Sequence, residues 1–234
     1  MRMKDKRAEQ NADKIRHKEL LKANRRKGIS FERPEPVLSE KPTILIVCEG
    51  KNTEPSYFTQ FRLSSATIKP VGEGYNTISL VNRAKQIADD GNYEQVWCVF
   101  DKDDFSNTDF DNAIILAESY GFGVAYSNQA FEYWLILHFN DHQGGGMNRN
   151  LYNDKLNQLI KPYKLKYDGL KTKIITEDFF QLLDGVDQKT GKERKLLAIE
   201  RAKRNYNSFN HVNPSIEEST TTVFKLVSEL LKYL

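Results

Sequence analysis

Three carboxylates fall directly after apolar runs. Glu49 follows TILIVC (Thr43–Cys48), and Asp101 and Asp103 follow QVWCVF (Gln95–Phe100), with Asp104 behind them. Acidic side chains gathered in one place repel one another and stay ionised cheaply only beside a cation. Oxygen-only donors of this kind suit Mg2+ or Mn2+. Such ions lower the pKa of an attacking water and neutralise a leaving oxyanion, which is what hydrolysis of a phosphodiester requires. In the Asp-x-Asp turn the two carboxylates are expected to converge on one ion while Lys102 between them points away. An Asp-x-Asp alone is a weak signal, since any surface loop can carry one. Its place at the end of a buried run strengthens it, as does Glu49-Gly50 at the end of an earlier one. The competing reading is a set of polar residues that merely terminate strands.

Further residues gather around these. Glu132 lies among Phe131, Tyr133 and Trp134, where a carboxylate is costly to bury unless it is paired or bound to metal. It is either a fourth ligand or a carboxylate favoured by a helix N-terminus. Ser127 or Asn128 would cap that helix, and His138 near its end reads as a buried structural histidine, with a general base as the alternative. After Glu49, Gly50 would let a phosphate approach the backbone, and Lys51 would supply charge to it. Thr53 and Glu54 read as the cap and first turn of a helix. Lys102 at the acidic turn, and Arg201 and Arg204 on a later helix, are candidate phosphate contacts; solvated faces explain them equally well.

The elements that must position these residues alternate regularly from Pro42. Strands are expected at Thr43–Cys48, Ala66–Val71, Gln95–Phe100 and Phe122–Tyr126. Helices are expected at Thr53–Arg62, Thr77–Asp90, Asp109–Tyr120 and Ala130–Phe139. The second helix shows Ile78, Val81, Ala84, Ile87 and Ala88 at helical spacing. Short, almost wholly apolar strands between helices imply βαβ units and a mostly parallel sheet. Right-handed crossovers bring every strand's C-terminal end to one edge, where open α/β sheets keep their sites. A polar, glycine-rich break at Asn140–Asn150 (NDHQGGGMNRN) ends the alternation. Beyond it, helices are expected at Leu151–Ile160, Glu177–Leu183, Glu193–Tyr206 and Ser219–Leu234. The organisation read from this is a basic arm and linker at 1–40, a core at 41–140, and a mainly helical region at 141–234.

Composition narrows the class. The net charge of +3 over 234 residues hides an asymmetry: residues 1–35 hold twelve Lys/Arg against six Asp/Glu, and the remainder is slightly acidic. An arm of this kind, with Ile15, Leu20 and Leu21 as sparse apolar residues, is either a solvated tail with a frayed helix through Asp13–Lys27 or an electrostatic contact with phosphates. Cys48 and Cys98 sit inside strand-like runs and read as buried, reduced thiols. No apolar run reaches the ~20 residues that a membrane helix needs, and MRMKDKRAEQ lacks the apolar stretch of a secretory leader. A cytoplasmic, membrane-free protein is expected.

An apolar strand ending in Glu-Gly, followed later by one ending in Asp-x-Asp, resembles the Toprim domain of topoisomerases, primases and OLD-type nucleases. More specifically, the chain resembles the RloB-like family of bacterial proteins. The resemblance is carried by ILIVCEGKNTEPSYF (Ile44–Phe58), VWCVFDKDDF (Val96–Phe105), SNQAFEYWLILHF (Ser127–Phe139), NPS (Asn213–Ser215) and TTTVFKLVSEL (Thr220–Leu230). It covers about Lys41–Leu234. Two departures are Gln129, where proline is expected, and the extra residues Ile216–Ser219 after NPS.

The resemblance implies an α/β fold of Toprim (Rossmann-like) type: a mostly parallel sheet flanked by helices, with a helical C-terminal extension and the basic N-terminal arm. It also implies Mg2+ (or Mn2+) dependence, nuclease activity on DNA or RNA, with tRNA among the candidate substrates, and a role in anti-phage defence beside an ABC- or AAA-type ATPase. A homodimer is among the assemblies expected. Glu49 carries over as catalytic acid/base or metal ligand, and Asp101 and Asp103 as metal ligands. A non-catalytic nucleic-acid-binding subunit is the alternative function. A phosphatase with an aspartate nucleophile fits less well, because its Asp-x-Asp should follow the first strand of the core, whereas here a glutamate comes first.

Overall fold

A computed structural model of the chain describes residues 12–20, 22, 42–70, 77–103, 106–143 and 145–234. The chain divides into two units, Met1–Glu40 and Lys41–Leu234. In the first, residues 12–20 and 22 are helical and exposed; the remainder of the expected arm helix and the linker at Pro34–Pro36 lie outside the described residues, as does Asp104.

In the second unit, four strands form one parallel sheet in the order β2-β1-β3-β4. They are β1 (Ile44–Cys48), β2 (Ala66–Pro70), β3 (Gln95–Asp101) and β4 (Gly123–Ser127). All five side chains of β1 are fully buried, as a central parallel strand covered on both faces requires. Alternation then divides the core. Leu45, Val47, Val96, Cys98 and Phe100 face α2 (Thr77–Asp90) and α3 (Asn107–Ser119). Ile44, Ile46, Cys48 and Val99 face the other way, towards α1 (Thr53–Thr59) and α4 (Glu132–Leu137). The result is a three-layer α/β fold of Rossmann-like type. At Gly123 the backbone passes beneath the Trp97 ring; a Cβ there would lie 2.5 Å from ring carbons.

After residue 140 come α5 (Tyr152–Ile160), α6 (Glu177–Asp184), α7 (Arg194–Tyr206) and α8 (Val223–Leu230). Tyr152, Leu156, Phe179, Leu183, Ala198, Ala202 and Leu226 join the same apolar cluster as Ile44 and Trp134. These helices therefore share the core of the Lys41–Leu234 unit, and the glycine-rich break is a loop within it. Among the described residues, no helix is long and apolar enough to cross a membrane.

The last expected helix starts later than its sequence suggests. Residues 219–222 are not helical; they run antiparallel beside β4. The N–H of Asn128 donates to the Thr220 carbonyl (2.8 Å) and that of Thr222 to the Tyr126 carbonyl (2.8 Å). The Thr222 hydroxyl accepts from the Tyr126 N–H (2.9 Å) and donates to the Val124 carbonyl (2.9 Å). β4 is the sheet's outer strand, so its outward-facing amide groups need these partners. The Thr222→Val variant keeps the volume and removes both side-chain bonds. It is expected to lose about 1–3 kcal/mol of stability, measured by urea unfolding with an unchanged slope.

Candidate metal centre

The sheet order puts β1 and β3 side by side, with the chain leaving β1 for β2 on one side and β3 for β4 on the other. The C-terminal ends of such a pair border a crevice that no crossover covers. Glu49 and Asp101 stand at those two ends. The Glu49 N–H continues the ladder to the Val99 carbonyl (2.9 Å), and its carboxylate accepts from the Asp101 N–H (3.3 Å). Asp101 in turn accepts from the Phe131 N–H (3.0 Å), which ties the end of β3 to the start of α4.

Two further carboxylates complete the group. Glu54, in the first turn of α1, is only 6 % exposed. Its carboxylate lies over Gly50, where a Cβ would come within 2.3 Å of Oε2. Glycine here makes room for an acidic side chain of the chain itself. Glu132, at the start of α4, accepts from the Tyr167 hydroxyl (2.8 Å), which also contacts the Thr53 hydroxyl (3.1 Å).

The electrostatics record this crowding. Burial pushes Glu49 up to about 7; the Asp101 N–H and Arg149 oppose the rise and Glu54 adds to it. Glu54 is pushed up to about 7 by burial and then by Glu132, against its own N–H and Lys173. Asp101 is raised well above the carboxylate range, by burial first and then by the charges of Glu54, Glu132 and Glu49. These four residues act on one another as one acidic group. They are neighbours and not a closed cage: among the described residues, no three His, Cys, Asp or Glu side chains stand at metal-holding spacing. The donor chemistry fits a hard divalent cation, since it is all oxygen, anionic and partly withdrawn from water.

A raised carboxylate pKa destabilises the fold as pH rises. Between the unfolded value of about 4.5 and the folded value of about 7, the unfolded chain holds fewer protons than the folded one, so stability falls across that window. Glu54→Gln removes its share. In EDTA, the variant's melting temperature relative to wild type is expected to climb from pH 4.5 to 7 and then level off, by roughly 10 °C. Thermal scans at several pH values check this; a difference independent of pH would contradict the acidic group.

The other expected site residues are distributed differently. Asp103 is held by partners other than those of Asp101. It has a positive φ of 41°, donates its N–H to the Gln129 carbonyl (3.2 Å), and forms an ion pair with Arg149. Gln129, the departure from the family pattern, accepts the Arg149 N–H (3.0 Å), so it supports this ion pair. Lys51 is exposed, but Lys102 is 8 % exposed and lies inside the fold. Arg201 donates to the Leu137 carbonyl (2.7 Å), and Arg204 pairs with Asp141.

Neither Ser127 nor Asn128 caps α4. Ser127 meets the Thr221 hydroxyl (3.1 Å), the Asn128 amide donates to the Pro214 carbonyl (2.8 Å), and the capping position is Phe131. Likewise Asn52, not Thr53, precedes α1. His138 is buried with Nδ1 on the Trp134 carbonyl (3.0 Å), and burial pushes it down to about 3; it is a neutral structural histidine.

Sequence reasoning missed Glu54, Arg149, Tyr167 and Lys173. Glu54 had a signal: it stands five residues after Glu49 in the same motif. The other three are joined to the site only by the fold.

The family model described as RloB-like protein matches residues 44–230. The chain belongs to the RloB-like family. The match contains all four carboxylates and the C-terminal helices of this RloB-like chain, and leaves out the basic arm. Comparisons with curated proteins and with solved structures gave no match.

Proposed function

We propose that the chain is a divalent-metal-dependent nuclease that hydrolyses phosphodiester bonds of DNA or RNA. The observation that carries this reading is the acidic group Glu49, Glu54, Asp101 and Glu132 at the crevice between β1 and β3. Carboxylates with affinities for protons raised this far have a matching demand for a cation. Asp101, Glu54 and Glu132 are the residues that would hold Mg2+ or Mn2+, with Glu49 beside them. The ion would supply an activated water and charge neutralisation at the phosphate oxygens.

The chain's own residues do the remainder. Glu49 is held at the end of β3 by the Asp101 N–H and, with an affinity near neutrality, can accept a proton from water. Tyr167 fixes Glu132 through its hydroxyl. Arg149, held by Asp103 and Gln129, places a guanidinium near Glu49, where it can meet an anionic substrate.

Incubation with DNA, total RNA and tRNA, with Mg2+ or Mn2+ and with EDTA, tests the proposal. Metal-dependent cleavage of any of these supports it. Metal binding without cleavage, with and without a neighbouring ATPase, would favour the non-catalytic subunit instead. A place in anti-phage defence and an ATPase partner are part of the same proposal and rest on the family resemblance.

A further inference from the structure

The segment between α5 and α6 carries Lys161, Lys164, Lys166, Lys171 and Lys173 against a single acidic residue, Asp168. Among the described residues, none of these five lysines forms an ion pair. Several basic residues of α7 and the loop before it are engaged differently. Lys192 pairs with Glu200, Lys195 with Asp184 and Arg204 with Asp141, while Arg201 is spent on a backbone carbonyl.

The segment is also held in a defined shape. The Asn157 side chain clamps Tyr167 from both sides, accepting its N–H (2.9 Å) and donating to its carbonyl (2.8 Å). The Asp168 carboxylate accepts the N–H groups of Leu170 (3.3 Å) and Lys171 (3.1 Å), and its carbonyl accepts that of Lys173 (2.8 Å). The Ile175 N–H then donates to the Ser56 hydroxyl on α1 (2.8 Å). Two of these anchors lie at the acidic group: Tyr167 bonds Glu132, and the charge of Lys173 acts on Glu54.

We propose that residues 161–173 form a basic lip that binds the sugar-phosphate backbone of a nucleic acid beside the carboxylates. This rests on the nuclease reading of that site. Four carboxylates by themselves repel a polyanion, so a substrate needs positive charge on the rim to be drawn in. Lysines on a fixed backbone supply it with little ordering left to do on binding. Lys161, Lys164, Lys166 and Lys171 are exposed, and Lys173 is half-buried towards Glu54. The first four meet phosphates, and Lys173 marks where the lip joins the site.

The test measures binding without turnover. The full chain is titrated against a short labelled single-stranded DNA and an RNA of the same sequence, in EDTA, over a range of salt. The variant carries Lys161→Gln, Lys164→Gln, Lys166→Gln and Lys171→Gln together; a second carries arginine at the same positions. Each phosphate contact on a single strand contributes ~0.7 to the slope of log affinity against log salt. The glutamine variant is therefore expected to bind with a slope shallower by roughly 2–3, with an unchanged melting temperature, and the arginine variant to keep the wild-type slope. Loss on both strands assigns the contact to the shared phosphates; loss on one alone identifies the sugar that the lip accepts. An unchanged slope on both, or no binding of either strand by the wild-type chain, overturns the proposal. A chain that binds with the expected slope but never cleaves keeps the lip and loses the nuclease reading. A chain that cleaves but shows no change of slope does the reverse.

Discussion

Glu49→Gln and Asp101→Asn are each expected to lower phosphodiester cleavage by about 10²- to 10⁴-fold while leaving the chain folded. Both side chains stand at the crevice between β1 and β3, joined by the bond from the Asp101 N–H to Glu49. Their affinities for protons are raised by burial and by neighbouring carboxylates. An amide at either place keeps the shape but removes a charge that a divalent ion needs and a base that water needs. The metal-free melting temperature should rise, because the same change relieves repulsion. Asp103→Asn is expected to cost less than ~10-fold, on the order of losing one surface-level ion pair, since Asp103 is turned to Arg149. Rates on one substrate preparation, with circular dichroism as the control for folding, decide the matter. Equal losses at Asp101 and Asp103 would mean that the Asp-x-Asp pair acts as one ligand set, and undiminished cleavage in all three variants would remove the enzyme reading.

Metal affinity should follow the same division. Glu132→Gln is expected to raise the Mn2+ dissociation constant about tenfold or more, equivalent to at least ~1.4 kcal/mol, and Glu54→Gln to do likewise. Glu132 acts on both Glu54 and Asp101, so all three belong to one electrostatic group. Tyr167→Phe deletes the hydroxyl that orients Glu132 and should weaken binding by about 10-fold. Asp103→Asn should leave the constant close to wild type. Calorimetric titration of the four variants reads this directly. If Asp103→Asn weakened Mn2+ binding while Glu132→Gln did not, the site would be centred outside the crevice, at the Arg149 ion pair.

The central strands were legible because they are short apolar runs, and ILIVC (Ile44–Cys48) became the fully buried β1. The ends of these runs located Glu49 and Asp101 for the same reason. Asp103 was not legible. An Asp-x-Asp reads as two residues on one side of a strand, but β3 stops at Asp101, the backbone at Asp103 is left-handed, and its carboxylate is taken up by the ion pair with Arg149. Glu54 looked like an ordinary first-turn residue, because propensity says what a helix start tolerates and nothing about where a side chain goes afterwards. Ser219–Thr222 was absorbed into the following helix by the periodicity of VFKLVSEL. Three consecutive threonines, a residue type favoured in strands, were the signal against it. Tyr167 and Arg149 had no local signal, since only tertiary contacts bring them to the acidic edge.

The pairing of Thr220–Thr222 with β4 has a kinetic consequence. It joins residues 96 and 98 positions apart in the chain, so this edge closes only after the intervening helices have been gathered in. Contacts of such long range form slowly. Until they form, a refolding chain presents the outer amide groups of β4 to its neighbours. The Thr220–Thr222 segment of another molecule can occupy that edge as well as its own can, which is the condition for strand exchange. The recovery of correctly folded chains should therefore fall as refolding concentration rises, with the loss appearing as strand-exchanged species in which each C-terminal segment completes another molecule's sheet.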